Sequence, residues 1–227
     1  KQAPLTSAYL KEGLEQAAEI FGYAERIKKS GKQANGKIRS VGIGQAYHAA
    51  GYNGWDGMVR ITPDGKLHVH TGVGNLGTYS YASTSRVAAE VLGYDWDNVV
   101  IERGGTLKAM PFNIGQFGSN TSFTMTRTNY AAGMAAKEKL LEIGANMMGG
   151  SAADYKLDNE KVVAKKGGKS ITFAQAAQQA IKLGGKYDGH ELDKDLKGLT
   201  KLAAKQITGS GLIAAAKDKI PKKGVVP

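Results

Sequence analysis

The residues best suited to chemistry lie in two clusters rich in glycine and hydroxyl groups. The first is Thr71-Gly-Val-Gly-Asn-Leu-Gly-Thr-Tyr-Ser80 and the second is Gly115-Gln-Phe-Gly-Ser-Asn-Thr-Ser-Phe-Thr124. Glycine adopts backbone conformations closed to other residues, so Gly72, Gly74, Gly77, Gly115 and Gly118 let N–H groups turn towards a ligand. Neither cluster contains lysine or arginine. Attraction for an anion would therefore come from N–H dipoles and hydroxyls, an arrangement suited to a phosphate beside the positive end of a helix. Two such entrances about forty residues apart could converge on one elongated, phosphate-bearing ligand. The plainer alternative is that the glycines make turns and the serines and threonines cap helices.

The flanking patterns supply the elements that would position these clusters. Met58-Val-Arg-Ile61 and Leu67-His-Val-His70 alternate apolar and polar residues around Asp64-Gly65, as a β-hairpin does. After the first cluster, Thr84, Val87, Ala88, Val91 and Leu92 fall on one helical face. A strand is expected over 98–102, an irregular loop over 103–114, and then a helix over about 126–148 that buries Ala136, Leu140, Ile143 and Met147. Upstream, a helix is expected over 7–29, with Thr6 or Ser7 as N-cap and Leu10, Leu14, Ala17 and Phe21 on one face. A basic, exposed connection over 28–37 follows, and the glycine-rich run at 39–46 reads as a buried strand. Downstream, strands around Lys165-Lys-Gly-Gly168 suggest a hairpin, and 173–183 a helix ending at Gly184-Gly185.

Other polar groups are weaker candidates. His48 sits in a loop of rings and glycines without an acid nearby in sequence, and reads as an ordinary loop histidine. His68 and His70 lie two apart on a strand and face one side; they could grip a metal if a third ligand came from elsewhere, but a wet sheet face is the favoured reading. Asp188, Glu191, Asp193 and Asp195 stand in a loop rich in glycine and lysine, where solvation is expected rather than the burial that tunes catalytic carboxylates.

Composition excludes several classes. With 227 residues and 41% hydrophobic content the chain can bury a core. It has no cysteine, hence no disulfide, no thiolate-ligated zinc and no ligands for an iron–sulfur cluster of its own. No run of 18 apolar residues occurs, so no transmembrane segment is expected. The net charge of +11 raises the question of polyanions, and residues 151–227 hold fifteen lysines against eight acidic residues. Those lysines are interspersed with acids and few aromatic rings accompany them, the pattern of a solvated surface rather than of a nucleic-acid site.

The order of short motifs adds a family. Val41-Gly-Ile-Gly44 is followed by Val59-Arg-Ile61, Asp64-Gly-Lys66, Val69 and Gly72. Then come Asn75-Leu-Gly77, Ala88-Ala-Glu-Val-Leu-Gly93, Gly105-Thr106, Pro111 and Gly118-Ser119. Taken with Ile20-Phe-Gly-Tyr-Ala-Glu-Arg26 before them and Gly211-Leu-Ile213, Ala215, Asp218, Pro221 and Gly224 after, this succession resembles the molybdopterin-binding large subunit of the xanthine oxidase and aldehyde oxidoreductase family. The resemblance implies an α+β fold of mixed sheets and helices, part of a larger multidomain subunit of which this chain is an interior piece. The expected division is a helical lead-in and basic connection over 1–40, a cofactor-binding core over 41–149, and a lysine-rich α+β lobe over 150–227.

The resemblance also places a site. The family's Gly-Gln-Gly loop beside the molybdenum falls on Gly77, Thr78 and Tyr79, with threonine in place of glutamine and tyrosine in place of the second glycine. Its Gly-Ser-Arg contact with the pterin or dinucleotide falls on Gly118, Ser119 and Asn120, with Thr121 following, and the arginine is missing. Threonine and asparagine still donate hydrogen bonds, but without the reach of glutamine or the forked charge of arginine. No residue of the chain is implied as a metal ligand or as the catalytic base, the family's glutamate belonging to a C-terminal portion; Thr78 and Tyr79 are pocket candidates.

The implied cofactor is the molybdenum cofactor in its cytosine dinucleotide form, with iron–sulfur clusters and FAD or haem on partner chains. The implied partners are the rest of the molybdopterin subunit, an iron–sulfur subunit and an FAD or cytochrome subunit. The implied activity is hydroxylation or dehydrogenation of an aldehyde, heteroaromatic or related small organic substrate, with water as the oxygen source, in the bacterial cytoplasm or periplasm and without nucleic acid. Two other classes stay open: a lysine-rich polyanion-binding module, and a relic cofactor domain with a structural role.

Overall fold

The computed structural model describes residues 9–45 and 55–218, in two units. His48, Thr6, Ser7, Pro221 and Gly224 lie outside the described residues.

In the first unit, α1 (Leu10–Phe21) and α2 (Tyr23–Lys28) take the place of the single helix expected over 7–29. The break is at Gly22, which adopts a left-handed conformation (φ +67°) and turns its N–H back to Ala18 and Glu19, a helix-ending geometry that glycine permits without steric cost. A two-stranded hairpin, β1 (Gln33–Ala34) and β2 (Lys37–Ile38), occupies the basic connection. Of the strand expected over 39–46, the described residues 39–45 form no part. Residues 39–45 have no regular structure, Ile43 is exposed, and Gly42 and Gly44 have open space where a side chain would go. Among the described residues of this unit none is buried, although α1 is amphipathic with Leu10, Leu14 and Phe21 exposed.

The second unit is built on a mixed four-stranded sheet. The hairpin around Asp64-Gly65 forms as its pattern predicts: β3 (Asp56–Ile61) pairs antiparallel with β4 (Leu67–Thr71), Ile61 opposite Leu67. Helix α3 (Ser80–Leu92) then crosses to β5 (Val99–Arg103), which lies parallel to β4, Thr71 opposite Arg103. Helix α4 (Thr121–Met148) follows, starting five residues earlier than expected. A meander of β6 (Tyr155–Asp158), β7 (Lys161–Ala164) and β8 (Ser170–Thr172) leads into α5 (Phe173–Leu183) and α6 (Gly198–Lys205). Finally β9 (Leu212–Lys217) returns antiparallel to β3, completing the order β5-β4-β3-β9.

Both faces of this sheet are covered. Val59, Ile61, Leu67, Val69 and Leu212 pack on Ala88 and Leu92 of α3, Ala136, Leu140 and Ile143 of α4 and Phe173 of α5. Each large side chain so buried contributes about 1.5–3 kcal/mol. Helix α4 crosses β3 closely: a Cβ on Gly57 would stand 2.2 Å from the carbonyl oxygen of Thr128. The opposite face, Met58, Ile213 and Ala215, is covered by Leu196, Ala203 and Ala204. Because β4 and β5 are parallel, the segments leaving them emerge at one end of the sheet, where α/β proteins place ligands.

Candidate functional site

Both glycine-rich clusters lie at that end. The first leaves β4 through Gly72, where a Cβ would stand 2.3 Å from Asn113 Nδ2, so that any side chain would push the asparagine amide aside. Asn75 Oδ1 accepts the N–H groups of both Gly77 (3.0 Å) and Tyr79 (3.1 Å), which folds 75–79 into a compact turn. Gly77 (φ +87°) and Tyr79 (φ +51°) both have positive φ; α3 begins at the next residue, Ser80. The second cluster ends in the same way. Gly118 (φ +59°) and Ser119 (φ +52°) precede Asn120, the residue at the start of α4. A non-glycine residue at positive φ costs of order 1 kcal/mol or more and is worth tracing to a function.

One side chain fastens the clusters together. Gln116 Oε1 accepts the Leu76 N–H, and its Nε2 donates to Ser80 Oγ. Between them lies an open groove of about 510 Å³. Thr78, Ser119, Asn120 and Thr121 share its walls with Ser80 and Gln116, while the apolar Leu76 and Phe117 are exposed beside them. Gly77 and Gly118 stand next to these wall residues in the chain, and the ring of Tyr79 lies against Tyr81, centroids 5.9 Å apart. The sequence-level candidates are thus brought to one place. Gln116, Ser80 and Asn75 complete it; Asn75 and Gln116 carry a signal in their position two residues before or one after a loop glycine, whereas the Ser80 contact is visible only in three dimensions.

The groove offers neutral donors rather than charged side chains. Among the described residues no lysine, arginine, aspartate or glutamate lines it. Neither helix start is capped by a side chain, so the hydroxyl residues do not act as simple caps and the first-turn N–H groups keep their partial positive charge. Asn120 is fully buried and its Nδ2 has no partner. A buried amide donor without an acceptor costs about 1–3 kcal/mol, which an acceptor atom in the groove would remove.

The other candidate groups lie outside the lining of the groove. His68 and His70 do share a face, but it is a covered one rather than a wet one, since Lys108 and its neighbours close over it. His68 Nδ1 lies 2.8 Å from Glu102 Oε1, and Glu102 is also held by Lys108 and by Arg60 at 3.6 Å. Burial would raise the Glu102 pKa, but the hydrogen bonds from Lys108 and His68 prevail and bring it down to about 2. Burial, reinforced by the Arg60 charge, lowers His70 to about 3, so it stays neutral. Asp188, expected in solvent, is buried and holds His190 Nδ1 at 2.8 Å; Glu191, Asp193 and Asp195 are exposed.

Comparison with known proteins converges on one kind of domain. A family model described as a molybdopterin cofactor-binding domain matches residues 16–211. The xanthine dehydrogenase molybdenum-binding subunit of Escherichia coli O157:H7 is 27% identical over 164 residues, 69% of this chain and 22% of that protein. The aldehyde oxidoreductase molybdenum-binding subunit PaoC of the same organism is 28% identical over 153 residues, 65% of this chain and 20% of that one. Among solved structures, quinoline 2-oxidoreductase from Pseudomonas putida 86 superposes with a TM-score of 0.55 at 17% identity, and CO dehydrogenase from Oligotropha carboxidovorans with 0.56 at 19%. Each superposition covers 96% of this chain and 27% of the other, which establishes the fold. The chain spans about a fifth of the length of these curated relatives.

Proposed function

Starting from the fact that this chain belongs to the molybdopterin cofactor-binding domain family of xanthine oxidase and aldehyde oxidoreductase type, we propose that it serves as the cofactor-holding part of a molybdenum-dependent oxidoreductase. The carrying observation is the convergence of two uncapped helix starts and the unpartnered Asn120 amide on one groove. Those donors fit a phosphate-bearing pterin, and their neutrality fits a ligand that is held by position rather than by bulk charge. When bound, the cofactor supplies the two-electron redox chemistry by which a substrate carbon gains oxygen from water.

The chain's own residues orient that group. Ser119, Asn120 and Thr121, at the start of the long α4, hold the pterin or its dinucleotide portion through N–H, amide and hydroxyl donors. Gly77, Thr78 and Tyr79 form the end nearest the metal, where Thr78 offers a hydroxyl on the wall and Tyr79 narrows the approach. The cytosine dinucleotide form of the cofactor, an iron–sulfur partner, a flavin or cytochrome partner and a small organic substrate belong to the same proposal. Ser119→Arg tests it: a long charged side chain at a left-handed position on the wall should lower molybdenum content. An unchanged molybdenum content in a folded Ser119→Arg protein contradicts the placement.

A further inference from the structure

Beside the groove, the side chains of Tyr79, Tyr81 and Arg103 are in contact in series. Tyr79 follows Thr78, a wall residue, and is 63% exposed in spite of its ring and its left-handed backbone. Its ring meets that of Tyr81 at 5.9 Å with a 56° tilt. The Arg103 guanidinium lies 4.4 Å from the Tyr81 centroid. Contacts therefore run from the groove wall through Tyr79 and Tyr81 to a cation. The backbone explains the meeting. Arg103 ends β5 opposite Thr71, where the first cluster begins, so the parallel pairing of β4 and β5 brings the arginine beside the first turn of α3.

Arg103 differs from Arg60 and Arg127, which pair with Glu102 and Asp218. It is exposed and makes no ion pair among the described residues. The contact with Tyr81 is to a ring and satisfies none of the guanidinium N–H groups with a carboxylate, and a guanidinium takes a carboxylate with two parallel hydrogen bonds. Tyr79, the other neighbour of Tyr81, presents an exposed aromatic ring, which favours a flat ring in offset or tilted contact. Holding such a ring at φ +51° costs free energy that a glycine would not incur, and local burial does not repay it.

We propose that Tyr79, Tyr81 and Arg103 form a substrate subsite for a planar aromatic compound bearing a carboxylate, with the ring against Tyr79 and the carboxylate on Arg103. The subsite rests on the reading of the adjoining groove as the cofactor site and adds to it a class of substrate. A neutral aromatic of the same shape would meet the ring contact without the charge-assisted bonds.

The test measures binding of benzoate and of its neutral isostere benzamide to the native complex that contains this chain, with molybdenum assayed on the same preparation. Benzoate should bind roughly tenfold or more tightly than benzamide. Arg103→Gln should abolish that preference while leaving benzamide affinity unchanged, and Arg103→Lys should restore only part of it. Equal binding of the two probes to the wild-type complex, or a preference that survives Arg103→Gln, overturns the subsite. Molybdenum present without the benzoate preference overturns the subsite alone. A preference that depends on Arg103 in a complex lacking molybdenum supports the subsite and contradicts the cofactor assignment instead.

Discussion

The side-chain oxygen of Gln116 accepts the backbone N–H of Leu76 at 3.1 Å, across forty residues of sequence. With its amide nitrogen on Ser80 Oγ, the same side chain sets the spacing of the two helix starts. Gln116→Leu removes both bonds while keeping the bulk. It should cost about 1–3 kcal/mol of stability and lower the molybdenum retained by the purified complex. Urea unfolding and metal analysis on one preparation check both effects; full metal retention would show that the groove is held open by something else.

Tyr79 and the proposed metal end make a second case. Tyr79→Gly removes a left-handed tyrosine, and should stabilise the fold by about 1 kcal/mol while leaving molybdenum content nearly intact. It should also change turnover or substrate preference, because the ring contact is lost. Steady-state kinetics on a neutral and an anionic aromatic substrate measure the change; identical ratios in the two proteins would contradict a role for the ring.

His70 predicts how the protein responds to acid. Its pKa falls from 6.5 to about 3 on folding through burial, so between those values the unfolded chain binds a proton that the folded one does not. Stability is then present above pH 6.5 and is lost as the pH falls towards 3, by at most about 1.4 kcal/mol per unit. Glu102, lowered from 4.5 to about 2, adds a loss of the same sign at lower pH. His70→Leu should flatten the dependence between pH 6.5 and 4.5, read from urea midpoints. An unchanged slope would assign the acid sensitivity to other groups.

Legibility in the sequence followed the range of the interactions. The hairpin at Asp64-Gly65 and helix α5 are set by neighbours: a turn in one, and in the other the reciprocal bonds of Thr172 and Gln175 at its start. Both were readable. Helix α6 was not, because its start is capped from far away: Asp56 Oδ2 accepts the Lys197 N–H at 2.8 Å and the Thr200 hydroxyl at 2.6 Å. The single helix expected at the N-terminus failed at Gly22, where only the left-handed turn, not the apolar spacing, marks the break. At the site, glycines and hydroxyls announced both loops. The clasp at Gln116, the orphaned amide of Asn120 and the stacking of Arg103 on Tyr81 depend on strand pairing and helix packing, which no local pattern records.

A groove that holds a molybdenum-bearing pterin between the two clusters makes the metal and the pterin constituents of the native complex. Elemental analysis with pterin extraction on the intact native complex measures both. Molybdenum and a pterin nucleotide should be present in matching amounts, both diminished by Ser119→Arg; a folded native complex that contains neither would rule out a cofactor in this groove.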